Sequence, residues 1–158
     1  FIADVRADTI VQHYDLLKDW KEAGLHAVVV GFEDIQDRRI EDYNKKFKAH
    51  VIPRSIELLH ELGMIIVGDF IVSPDYTEND FAHLEQFIME KGIQIPVLSV
   101  LTPIPGTPIH RIMKDRIVVH DLDYYTFTNA VVPTAIPEQT FYETFSELVK
   151  RLHMRTLN

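Results

Sequence analysis

The strongest signal along the chain is a compact apolar run at residues 27–30, inside the segment LHAVVVGFED at 25–34. It is short, β-branched and bounded by Gly24 and Gly31, the pattern of a strand buried on both faces, as in parallel sheets covered by helices. Comparable runs at 2–5, 64–72 and 95–101 predict three further strands, and 127–132 a short additional one. Between them the period changes to that of a helix. Ile10, Tyr14, Leu17 and Trp20 share one face of a helix predicted over 9–23, with Asp8 as its N-cap and Gly24 closing it. Ile52, Ile56, Leu59 and Leu62 do the same over 51–62, where Pro53 fits only the first turn. Thr77 and Asp80 have capping-box spacing before a helix reaching Lys91, with Phe81, Leu84, Phe87 and Ile88 inward. A short helix is predicted over 109–114. Pro137 opens the last helix, striped by Phe141, Phe145, Leu148 and Leu152. Residues 34–48 read as short helical turns, and 117–125 is ambiguous.

The order is β-α-β-α-β-α-β with strands roughly 30 to 40 residues apart, which predicts parallel strands and right-handed crossovers. In parallel α/β folds, ligands bind beyond the carboxyl ends of the strands. Those ends collect Asp4 and Arg6, then Glu33, then Asp69 and Ser73, then Thr102. Gly31 beside Glu33 would let a ligand approach the backbone. The bland alternative is a tight turn with a solvated carboxylate.

Composition narrows the function classes. The chain has 158 residues, 46% of them apolar, and a formal net charge of −8, which argues against nucleic-acid binding. No apolar span is long enough to cross a membrane and no signal-peptide pattern opens the chain, so a cytoplasmic location is expected. There is no cysteine, so no disulfide and no thiolate metal or iron–sulfur site can be built from these residues. The eight histidines lack zinc-site spacing and read as surface or packing residues. No phosphate-cradling glycine loop and no serine-nucleophile elbow is present. The acids of HDLDYY, at 120–125, read as a cap and packing surface. No residue stands out as catalytic or as a metal ligand.

The succession Gly24-Leu25, VVVGFED, Asn44-Lys45, Gly63-Met64, GDFIVSPDYT and LTPIPGTP resembles the second half of a radical S-adenosylmethionine (SAM) catalytic domain. The nearest group carries an N-terminal cobalamin-binding domain and includes hopanoid methylase-like and magnesium-protoporphyrin monomethyl ester cyclase-like enzymes. The resemblance covers nearly the whole chain, and LTPIPGTP after a strand is its most specific piece. It implies an α/β partial TIM barrel, about four strands of a six-stranded radical SAM barrel, over residues 1–116. A C-terminal helical tail over 117–158 would pack on it.

The same resemblance implies site roles. Glu33 falls where the family sets a polar residue against the SAM ribose hydroxyls, for which a carboxylate is a suitable acceptor. Lys45 matches a basic residue that meets the SAM carboxylate. Phe70, in the 68–73 stretch, belongs to a strand whose apolar residues pack on the adenine. Thr102 and Pro103 fall where backbone groups meet the adenine edge. Arg6 faces the same rim, and Ser73 stands where the family has glycine. The cofactors implied are SAM, an iron–sulfur cluster whose ligands are not in this chain, and cobalamin for a full-length protein with that domain.

The CxxxCxxC motif of the family has no counterpart here, and Phe1 opens directly into a strand. The expectation is therefore a piece of a longer enzyme, inactive alone, acting when intact as a methyltransferase or cyclase on a lipid or tetrapyrrole-like small molecule. An exposed sheet edge near residues 2–5 would favour self-association. Two other readings stay open: a non-catalytic flavodoxin-like ligand-binding module, and another TIM-barrel enzyme working through Glu33 and Asp69.

Overall fold

The computed structural model describes residues 1–35 and 51–156. The expected short helical turns over 34–48, and Lys45 with them, lie almost wholly outside the described residues. The four expected strands form: β1 Ile2–Asp4, β2 Ala27–Glu33, β3 Ile65–Val72 and β4 Ile95–Val100. All pair in parallel in the spatial order β1-β2-β3-β4. The helices are α1 Ala7–Gln12, α2 Tyr14–Glu22, α3 Val51–Glu61, α4 Glu78–Glu90, α5 Pro108–Met113 and α6 Glu138–Thr156. Two 3₁₀ turns, Lys114–Arg116 and Leu122–Tyr124, lie between α5 and α6.

Alternation along each strand sorts the two faces. Val28, Val30 and Phe32 of β2, Ile66, Phe70 and Val72 of β3, and Val100 of β4 are buried in one core. That core is completed by Ile10, Leu17, Ile52, Ile56, Leu59, Phe81, Leu84, Ile88, Phe141, Leu148 and Leu152 from the helices. The opposite parity carries Asp4, Val29, Gly31, Glu33, Val67, Asp69, Ile71, Val97 and Ser99, none of them buried. Among the described residues, the helices therefore cover one face and leave most of the other open. Sequential strand order with one covered face is the arc of a singly wound barrel. A flavodoxin-like sheet reverses its strand order and carries helices on both faces, so the topology excludes that reading.

Local chemistry explains most boundaries. Thr77 accepts from the Asp80 amide while the Asp80 carboxylate accepts from the Thr77 amide, a complete capping box for α4. Thr107 caps α5, with Pro108 at its first position. Asp121 caps the second 3₁₀ turn through the Asp123 amide, at 3.1 Å. Gly24, Gly63 and Gly92 all have positive φ just past helix ends.

Two expectations are corrected. The helix expected over 9–23 is two helices broken at His13, whose φ of −126° and ψ of 41° leave the helical region. Its expected cap, Asp8, sits inside the first turn of α1. There it pairs with Arg6, which occupies the cap position without a side-chain cap bond. The expected strand over 127–132 does not form. Phe127 has φ 61°, off the extended path, and the segment makes isolated bonds instead: Val100 N–H to the Phe127 carbonyl (2.6 Å) and Val118 N–H to that of Val131 (2.9 Å).

Candidate functional site at the strand ends

The carboxyl ends of β2, β3 and β4 share one rim. Register rows place the open-face side chains: Asp4 beside Val29, Val67 and Ile95, and, one step nearer the rim, Gly31 beside Asp69 and Val97. Gly31 brings no side chain to this row beside Asp69. Burial pushes the Asp69 carboxyl above its ordinary value, and the negative charges of Glu33 and Asp4 add to the effect. Glu33 and Asp69 thus share the open face.

Glu33 is the unusual residue of this rim. Its φ is 66°, a conformation that L-residues with a β-carbon avoid. The β2–β3 register slips there, so that Gly31 pairs with Asp69 but Glu33 with Phe70. The Asp34 amide donates to the Phe32 carbonyl at 2.9 Å, closing a three-residue turn around Glu33. Backbone strain of this kind clusters at functional sites.

The next residue, Asp34, is fully buried, and the equally buried Tyr76 donates its hydroxyl to Asp34 Oδ2 at 3.0 Å. The sequence reading singled out neither residue. The signal was the paired acid of GFED. Period-2 alternation through Asp34 places it on the Phe32 side, toward the core, where a carboxylate needs a partner.

The other expected residues divide. Ser73 is buried, its Oγ accepts from the Asp75 amide (3.2 Å), and its carbonyl accepts from Tyr76 N–H (3.0 Å), shaping the turn after β3. The buried Thr102 hydroxyl has two acceptors within reach, the carbonyls of Val100 (3.1 Å) and Asn129 (3.3 Å), so it is turned inward. Pro103 beside it is buried as well. Arg6 holds Asp8 in a two-pronged pair, Nε to Oδ1 at 2.9 Å and Nη2 to Oδ2 at 2.8 Å. This pair holds the Asp8 carboxyl below its ordinary value. Phe70 faces the helix side, its ring 5.5 Å from Phe32 and 6.4 Å from Phe87. The apolar side chains of the open face near the rim are Ile71 and Val97.

The tail frames the rim. Asp75 and Arg116 form a two-pronged ion pair at 2.6 and 3.0 Å, and the Ala135 amide donates to the Pro74 carbonyl at 2.9 Å. A cleft of about 470 Å³ between Val118, Ala130, Val132 and Ile136 lies in this part. Among the described residues no group of histidines and acids is arranged to hold a metal, and no helix is long and apolar enough to cross a membrane.

No family model matches the chain. Among curated proteins it is 27% identical over 150 residues to the hopanoid C-3 methylase of Methylococcus capsulatus, covering 95% of this chain and 28% of that protein. It is 31% identical over 134 residues to the bacteriochlorophyllide d C-12(1)-methyltransferase of Chlorobaculum tepidum (83% and 29%). It is 24% identical over 156 residues to the anaerobic magnesium-protoporphyrin IX monomethyl ester cyclase of Cereibacter sphaeroides (98% and 25%). The chain therefore spans under a third of the length of each of these relatives. Among solved structures, coproporphyrinogen III oxidase from Escherichia coli, a radical SAM enzyme, has the same fold with a TM-score of 0.67 at 16% identity, covering 98% of this chain and 32% of that one. The cobalamin-dependent SAM radical enzyme OxsB, solved with aqua-cobalamin and SAM bound, aligns with a TM-score of 0.51 at 15% identity, covering 98% and 24%. The chain is thus similar in sequence to these methylases and cyclases, and in its singly wound parallel fold to radical SAM enzymes.

Proposed function

We propose that this chain forms the strand-end part of a SAM site in a radical SAM enzyme that methylates or cyclises a lipid or tetrapyrrole-like small molecule. The observation that carries the reading is the Glu33 carboxylate, held by a strained turn at the rim of the open sheet face. The donor set fits a nucleoside. A carboxylate can accept from both ribose hydroxyls, and Ile71 and Val97 offer an apolar surface beside it. Backbone at Ser73, Thr102 and Pro103 is the complement for the adenine edge. Phe70 leaves the proposal because its ring serves the core. Arg6 stays as a rim cation already engaged by Asp8, and Lys45 stays on its resemblance alone.

The residues present do not fit an iron–sulfur cluster, since the sequence has no cysteine thiolate. Alone, the chain does not cleave the ligand. Cobalamin belongs to the same reading only as a component of the intact protein. Residues 1–116 carry the ligand contacts and 117–158 form an extension packed on them. The open sheet face and the β1 edge favour self-association, and the setting is cytoplasmic.

The test is calorimetric titration of SAM into the full-length protein. Glu33→Ala should weaken binding about tenfold, the worth of hydrogen bonds to a charged group, and Glu33→Gln less. Unchanged affinity in Glu33→Ala would remove Glu33 from the site. Deoxyadenosine formed by the purified 158-residue chain would refute its inactivity.

A further inference from the structure

We propose that Tyr76 and Asp34 are positioning residues for Glu33: their buried hydrogen bond holds the strained turn that presents the Glu33 carboxylate to a ribose. The inference rests on the reading of Glu33 given above and goes beyond it, by naming what fixes the carboxylate.

A residue at positive φ with a β-carbon returns to an extended conformation unless its neighbours are pinned. Extending the chain through Glu33 would also undo the register slip and move its carboxylate from its present position at the rim. Among the described residues, two contacts on Asp34 oppose this return. Its amide closes the turn on the Phe32 carbonyl at 2.9 Å. Its carboxylate, fully buried, receives the Tyr76 hydroxyl at 3.0 Å.

Tyr76 is itself fixed from both sides. Its backbone amide is bonded to Ser73 at 3.0 Å, and its ring meets Phe81 edge-on at 5.4 Å. Phe81 leans on Phe141 at 5.4 Å and Phe141 on Tyr142 at 5.5 Å. The Tyr142 hydroxyl accepts from the Ala130 amide at 2.8 Å, next to Asn129, whose carbonyl faces Thr102. One line of contacts thus runs from the end of β2 to the end of β4 through the tail. A buried carboxylate needs some donor, but this donor comes from the loop after β3 and reaches the residue next to the strained one.

The experiment uses the full-length protein and two stable ligands, S-adenosylhomocysteine and its 2′-deoxyribose analogue. The readout is the ratio of their dissociation constants, which general destabilisation does not move. The natural sequence should prefer the ribose ligand, and Glu33→Ala should abolish the preference. Tyr76→Phe keeps the ring but not the hydroxyl, and should reduce the preference about tenfold. The double variant should match Glu33→Ala alone, since two residues acting through one contact are not additive. Hydrogen exchange over residues 30–35 should rise in Tyr76→Phe while β3 stays protected. If Glu33→Ala loses the preference and Tyr76→Phe keeps it, the positioning role is wrong and the Glu33 reading stands. If Glu33→Ala keeps it, both fall. Should Tyr76→Phe fail to fold, Phe81→Leu is measured on the same ratio: it keeps the hydroxyl but loosens the ring's seat. A reduced preference supports the role, and an unchanged one overturns it.

Discussion

Asp69 shows how much a single position depends on its row. Its strand neighbour is Gly31, and burial together with two like charges disfavours ionisation. The linkage sign follows. With its pKa raised on folding, the native state holds the Asp69 proton more tightly than the unfolded chain does. Stability is then lost as pH rises through the carboxylate range, and the loss is complete above it. Asp69→Asn should raise Tm at pH 7, with the gain shrinking toward zero below about pH 4. Thermal unfolding followed at several pH values checks this, and a gain that grows on acidification would reverse the assignment. Asp8 has the opposite sign: Arg6 lowers its pKa, so its contribution is lost as pH falls.

At the scale of an element, β3 carries a glycine whose reason is packing rather than ligand approach. A β-carbon on Gly68 would lie 3.0 Å from Ile93 Cγ2 and 3.0 Å from Phe32 Cε2, both in buried side chains. Phe32 is also wedged against Phe70. Alanine in a strand gains roughly 0.5–1 kcal/mol of backbone entropy over glycine, while overpacking a closed core costs roughly 1–3 kcal/mol. The steric term wins, because neither neighbour is the free end of an exposed chain. Gly68→Ala should lose about 1 kcal/mol in urea unfolding, and a stabilised variant would show that Phe32 can move. The capping box of α4 belongs to this scale too, and it was readable because both its partners lie within four residues of sequence.

For the whole molecule, the asymmetry of the sheet is what matters. Parallel sheets are buried on both faces, yet Ile2, Ile65, Ile95 and Val97 on the open face are all well exposed, 62% in the case of Ile2. β1 is moreover a three-residue edge. The proposed self-association should appear as a concentration-dependent mass in sedimentation equilibrium, and Val97→Lys should shift the chain toward monomer. As a surface change it should cost within about 0.5 kcal/mol of stability. A natural chain that stays monomeric at every concentration tested would sink the idea.

The sequence by itself determined the four strands, most of the helices with the capping box of α4 and the glycines after helix ends, and the strand ends on which Glu33, Ser73 and Thr102 lie. These are written in local signals: period, cap residues and glycines after helix ends. Only the tertiary structure decided which face each rim residue serves. Phe70 has the same local pattern whether it meets an adenine or Phe32 and Phe87, and the pleat together with the helix layer assigned it to the core. The Thr102 hydroxyl was claimed by Asn129, 27 residues away, and Tyr76 by Asp34, 42 residues away. The break at His13 and the irregular path through Phe127 have no marker in the apolar period either, because the period records burial and not the backbone angles at one residue. Contacts across such separations depend on strand register, and register at the Glu33 turn is set by the fold as a whole.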